Sequence, residues 1–288
     1  MRFVRFTESD ATGLAVEHAG VLRGLTEDEA GYPGSLHELI NAGEGALKAA
    51  HDRLGDARLL DPAKIRYLPP IDRPGKIVCV GLNYADHTKE SPYEQPSYPT
   101  FFPRFASSLI GHGAHIIRPR VSEQLDFEGE LAVVIGRGGR HISRESALEH
   151  VAGYAIFNEA SIRDYQFKSP QWTIGKNFDG TGAFGPTFVS ADELPPGASG
   201  LKLVTRLNGA IVQQGNTGDM IFSVVDLIAI LSEAVSLEPG DVIVTGTPAG
   251  IGWARRPPLF MKPGDLCTVE IDGLGTLSNL IADEPSAA

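Results

Sequence analysis

Positive charge is in short supply in this 288-residue chain: 25 Lys and Arg stand against 36 Asp and Glu, a net charge of −11. Nucleic acid and anionic membranes both need a basic field, so neither is an expected partner. An anionic substrate would have to be captured locally, by a metal or by a few well-placed cations. Cysteine is scarcer still. The two present, Cys79 and Cys267, sit in apolar strand-like runs (IVCVG and LCTVE). That excludes a disulfide framework, a zinc finger and a redox CxxC pair, and suits buried thiols in a reducing cytoplasm. Long hydrophobic runs are missing too. The longest, over 222–237, is broken by Asp226, Ser232 and Glu233 and is too short and polar to span a bilayer. The opening MRFVRFTESD carries no apolar leader, so a cytoplasmic location is expected.

Signatures of several enzyme classes are also absent. Residues 180–185 read GTGAFG, a literal G-x-G-x-x-G, but no strand-to-helix unit surrounds them and Pro186 follows, which argues against a dinucleotide site. GTPAGIG lacks the Lys-Ser/Thr of a phosphate loop, and no G-x-S-x-G exists for a serine hydrolase. No repeat recurs at solenoid spacing.

What remains is ordinary for a globular protein: 42% hydrophobic and 21% charged residues, with length enough for one large domain or two. Residues 1–72 read as a small α/β domain, with strands RFVRFT, GLAVEH and VLRGL followed by helices SLHELINA and GALKAAHDRL. Prolines 62, 69, 70 and 74 mark a join, and 73–288 reads as a second, larger domain. Short strands dominate there: KIVCVG, ELAVVIG, GYAIFNEAS and DVIV. A helical turn is expected at NYADHTKE, a short helix at SRESALEHV and one or two turns at SIRDYQF. LKLVTRL-Asn208-Gly209-AIVQQG is a hairpin with a type I′ turn, and LCTVEIDGLGTLSN is another. SVVDLIAILSEAVSL is the best amphipathic helix. The whole reads as a mixed, β-rich α+β fold.

Asp126, Glu128 and Glu130 alternate just before the β-branched run Leu131–Ile135. Side chains two apart in a strand share a face, so Glu128 and Glu130 should project side by side at the mouth of a core strand. Held there they repel and lose hydration. A hard divalent cation would compensate them; a solvated strand end is the equal alternative. Glu159, ending another strand, is a third carboxylate or a plain polar terminus. His87 and Glu90, three apart in a helical turn, suit a general base with a fixed tautomer, or an inconsequential surface pair. Lys176 would stabilise developing negative charge or face solvent. Arg163 and Gln166 can hydrogen-bond a carboxylate, although Arg163 with Asp164 would equally make a structural tie. Thr247, in the loop after DVIV, offers a hydroxyl and neighbouring N–H groups to an anion, or is a simple turn.

Six segments occur in a telling order: GLNYADHTKE, DFEGELAVVIG, GYAIFNEASIRDYQ, GKNFDGTGAFGP, LNGAIVQQGNTGDMIFSVVDLIAILS and VIVTGTPAGIG. Together they resemble the fumarylacetoacetate hydrolase family over roughly residues 76–280, with the preceding segment similar to the variable N-terminal part of longer bacterial members. The resemblance implies a β-sheet roll and a homodimer. It also implies one Mg²⁺ or Mn²⁺ per site on Glu128, Glu130 and Glu159, a catalytic His87–Glu90 pair and an active-site Lys176. Two positions depart from the family pattern. Glu159 stands where Asp is usual, and Arg104, a further substrate-binding candidate, stands where many relatives carry Lys. The implied activity is hydrolysis of a C–C bond in a 2,4-dioxo acid such as an acylpyruvate, with His87 activating water and the metal and Lys176 holding an enolate. Isomerisation of a 2-hydroxyhepta-2,4-diene-1,7-dioate and decarboxylation of an oxaloacetate-like acid are alternatives on the same scaffold. A binding protein with a relic site, suggested by Glu159, is the non-enzymatic alternative.

Overall fold

The Gly129–Ile135 strand is buried along its whole length, and its two faces go to different cores. Leu131, Val133 and Ile135 pack with Leu203, Val269 and Ile271. Ala132 and Val134 pack with Leu36, Ile40 and Leu47. A strand apolar on both faces needs a layer on each side, and the computed structural model, which describes residues 1–90 and 94–285, supplies both.

The central layer is an eleven-stranded sheet. Its main path runs Val21–Thr26, Ala11–His18, Arg2–Glu8, Gly182–Ser190, Val151–Glu159, Gly129–Ile135, Val242–Val244, Ile77–Gly81 and Thr100–Pro103. Neighbours are antiparallel except the parallel pair 242–244 with 77–81. One face carries helices Leu36–Ala42 and Glu44–Gly55. The first of these starts in a reciprocal capping box between Ser35 and Glu38, which satisfies orphan N–H groups at its end. The other face packs on a five-stranded sheet containing both expected hairpins, 202–207 with 210–216 and 266–271 with 275–283. The helix Val224–Ala234 is capped the same way by Ser223 and Asp226 and buries Val224, Leu227, Ile228 and Leu231. This is the mixed, β-rich α+β architecture expected from the sequence.

Two details differ from the sequence reading. The helix expected at SRESALEHV is only a 3₁₀ turn, Ala147–His150, entered from Ser146 without a side-chain cap; its N–H groups are met by short-range bonds such as Glu149 N–H to Ser146 O at 3.0 Å, which suit a tight turn. The segment read as a separate small domain continues the main sheet, because Arg2–Glu8 pairs with Gly182–Ser190, Phe3 opposite Phe188. Among the described residues no helix is long and apolar enough to cross a membrane.

Candidate active site

Register places the acids. Glu130 is paired with Phe157 across the ladder, and Phe157 lies two residues from Glu159, so Glu130 and Glu159 project from the same face. Cys79 lies opposite Phe102 on the neighbouring strands, and both belong to the core beneath that face. Glu128 lies two residues before Glu130, where the Glu159 N–H donates to its carbonyl at 2.9 Å. The three carboxylates therefore meet at one end of the sheet, with oxygens within 4.8 Å of one another. All are buried, so the solvated strand end considered from the sequence is ruled out.

Cations from distant segments meet them. Lys176 Nζ lies 2.5 Å from Glu128 and 2.9 Å from Glu159. Arg163 Nε donates to Asp126 at 2.8 Å, and its NH2 lies 2.6 Å from Glu128. Arg104 NH1 is 3.4 Å from Glu159 Oε1. Four buried carboxylates, counting Asp126, thus face three buried cations. Lysine and arginine offset most of the charge of these acids, and a divalent ion at the three glutamates would compensate the rest. The fourth acid is Glu130, whose carboxylate accepts the Gly246 N–H and, among the described residues, has no salt-bridge cation. Burial pushes its carboxyl well above the ordinary range, and repulsion by Glu159 and Glu128 pushes it further. Burial pushes Glu128 up as well, but the charges of Arg163 and Lys176 outweigh that and hold it low. Burial would lower the Lys176 ammonium, yet Glu128 and Glu159 raise it, so it stays charged.

His87 lies on the short helix Ala85–Glu90, and its Nδ1 is 2.9 Å from Glu90 Oε1. That pairing fixes the ring and leaves Nε2 available to a molecule in the cavity His87 lines. Glu90 is itself anchored, accepting the Gly250 N–H at 2.9 Å. The next turn of the same loop is held by Asp126, which accepts the N–H groups of Gly252 at 2.7 Å and Trp253 at 2.9 Å. Two carboxylates thus clamp the 250–253 loop, one tied to His87 and one to Arg163. Asp126 was visible in the alternating pattern, but its task, four N–H donors including its neighbour Phe127, depends on a loop far away in sequence.

The cavity brings together His87, Glu128, Glu130, Glu159, Arg163, Gln166, Lys176 and Thr247. Arg163 NH1 donates to Gln166 Oε1 at 2.8 Å. The Thr247 hydroxyl is committed, donating to Gly129 O and accepting from Gln213. Gln213, which the sequence reading passed over, also accepts the Gly129 N–H and so braces the turn between the two glutamates. Arg104, expected at the substrate, is not part of the cavity wall. Its guanidinium is used on Glu159, Ser108 and Thr181.

The acid cluster fits a hard divalent ion. Among the described residues Glu159 Oε1 is buried without a hydrogen-bond donor, and burial with repulsion by Glu159 and Glu128 disfavours the charged form of Glu130 unless a cation joins it. Three glutamate oxygens at this spacing suit Mg²⁺ or Mn²⁺.

The family model "Fumarylacetoacetate (FAA) hydrolase C-terminal" matches residues 76–282. The chain is 40% identical over 97% of its length to the mitochondrial oxaloacetate tautomerase fahd2 of Xenopus laevis, covering 89% of that protein. It is 41% identical over 86% of its length to the oxaloacetate tautomerase YisK of Bacillus subtilis, covering 87% of it. The solved fumarylacetoacetate hydrolase of Exiguobacterium antarcticum superposes with a TM-score of 0.86 at 37% identity, over 99% of this chain and all of that one.

Proposed function

This chain belongs to the fumarylacetoacetate hydrolase family, and from that premise we propose that it interconverts the enol and keto forms of a small 2-oxo diacid of the oxaloacetate class. The balance is simple: one proton leaves the C2 oxygen, one is added at C3, and no water is consumed. The observation that carries the reading is the anchored His87–Glu90 pair beside the acid cluster. It is joined by the similarity to oxaloacetate tautomerases over most of the chain.

Glu128, Glu130 and Glu159 would hold Mg²⁺ or Mn²⁺, which supplies Lewis-acid stabilisation of an enolate. Lys176 adds a fixed positive charge beside the same acids, among buried side chains where such charges act strongly. His87 Nε2 takes a proton from the substrate oxygen or gives one to the adjacent carbon. Glu90 holds the ring in the tautomer that does so and steadies its charged form. Arg163 and Gln166 line the wall and orient the acid head.

The same pair would serve C–C hydrolysis by activating a water, which is the second reading. Assaying enol-oxaloacetate, an acylpyruvate and a hydroxyheptadienedioate side by side separates them. The tautomerase reading expects enol-oxaloacetate to have the highest kcat/KM; release of pyruvate from the acylpyruvate as the fastest reaction would overturn it. His87→Ala should slow turnover by about 10²–10⁴-fold while oxalate still binds.

A further inference from the structure

Beside the charged groups the cavity has an aromatic wall, and Lys176 Nζ lies 5.3 Å over the Phe102 ring. Phe102, Phe167, Trp172 and Trp253 line the cavity with Gly81 and Leu82. Trp172 stands edge-on to Phe102, with ring centroids 5.5 Å apart and planes at 71°. Phe167 and Trp253 form a second pair at 4.9 Å. The indole of Trp172 rests on bare backbone: a Cβ added at Gly81 would come within 2.3 Å of its Cζ3. Residue 81 ends the Ile77–Gly81 strand, on the same face as Cys79 and hence as the acids. The backbone then turns through Leu82, whose φ is 59°, a conformation that costs a leucine energy and that surrounding contacts must maintain.

The space left is small. The cavity measures about 40 Å³, and since a water needs roughly 10–15 Å³ of such space, it holds about three waters in all. A 2-oxo acid with its head at the glutamates, Lys176 and His87 would have little room for a tail beside Trp172, which lines the same cavity.

We propose that Trp172, seated on Gly81 and braced by Phe102, sets the length limit of the substrate, admitting four-carbon 2-oxo acids and excluding longer acyl or dienoate tails. This inference rests on the reading of the cavity as a 2-oxo acid site. Removing the indole frees space where the tail ends, while oxalate, which has no tail, serves as an internal reference.

The test is competition against oxalate on the Mn²⁺-loaded protein, using pyruvate, 2-oxobutanoate, 2-oxohexanoate and 2-oxooctanoate. In the wild type, affinity should fall by about tenfold or more between the butanoate and the octanoate, the scale on which a snug apolar wall discriminates chain length. In Trp172→Ala the fall should vanish or move to the longest acid. Trp172→Phe keeps a smaller ring on Gly81 and should move it part of the way; it carries the test alone if the alanine variant does not fold. An equal fall in wild type and variants, or no fall in the wild type, overturns the length limit while leaving the 2-oxo acid site intact. Failure of every 2-oxo acid to displace oxalate overturns both.

Discussion

Glu130 is the site carboxylate with a backbone N–H and, among the described residues, no salt-bridge cation, and its raised pKa has a consequence for stability. In the metal-free protein the folded chain keeps a proton that the unfolded chain releases near the ordinary value of 4.5. The folded state therefore binds more protons, so stability is fully present below that value and declines as pH rises towards the folded-state pKa. Melting curves of metal-stripped protein from pH 5 to 8 should show this decline, and Glu130→Gln should flatten it. In the wild type, Mn²⁺ must displace the proton, so its affinity should rise with pH. A second residue-scale test concerns Arg104 and Glu159. Removing one member of a buried pair strands the other, so Arg104→Met should destabilise by about 3–5 kcal/mol. In the double variant Arg104→Met/Glu159→Gln the loss should be well below the sum of the single losses, as read by chemical denaturation. The acids were legible in the sequence because strand alternation is local. Arg104, Arg163 and Lys176 were named as site residues too, but their pairing with these acids was not legible, because residues 104, 163 and 176 reach them only through tertiary folding.

At the scale of elements, the 250–253 loop is the connection between the two halves of the site. Glu90 grips its start and Asp126 its end. Gly250 has φ +107°, and a Cβ there would lie 2.3 Å from Val212 O, so an alanine must shift the loop. Gly250→Ala should therefore lower kcat by about 10–100-fold through misplacement of the His87–Glu90 pair, with overall folding retained by circular dichroism. The strands themselves were readable from β-branched runs, and the Asn208–Gly209 hairpin from its turn residues. The loop's role was not, since glycine-rich sequence reports permissive backbone but not the carboxylates that fix it.

For the whole molecule, the order of six segments disclosed the family, and the acids, histidine and lysine within them are the residues on which the proposed chemistry rests. The division of the chain at residue 72 was argued from prolines, which report local stiffness but not strand pairing. The Arg2–Glu8 strand closes one edge of Gly182–Ser190, and Leu14, Leu36, Ile40, Leu47 and Leu54 share a core with Phe184 and Phe188. A fragment of residues 73–288 alone would bare that core and an unpaired strand edge; it is expected to aggregate, as light scattering would report, rather than fold to an active domain.

The most direct measurement is the decay of enol-oxaloacetate, followed by ultraviolet absorbance, with Mn²⁺-loaded wild type, with chelator-treated protein and with Glu128→Gln. Rapid conversion to the keto acid by the loaded wild type, with loss of both the conversion and Mn²⁺ binding in Glu128→Gln, is the expected result. Equal conversion by all three, or none above the spontaneous rate with the loaded wild type, would contradict a metal-assisted tautomerase.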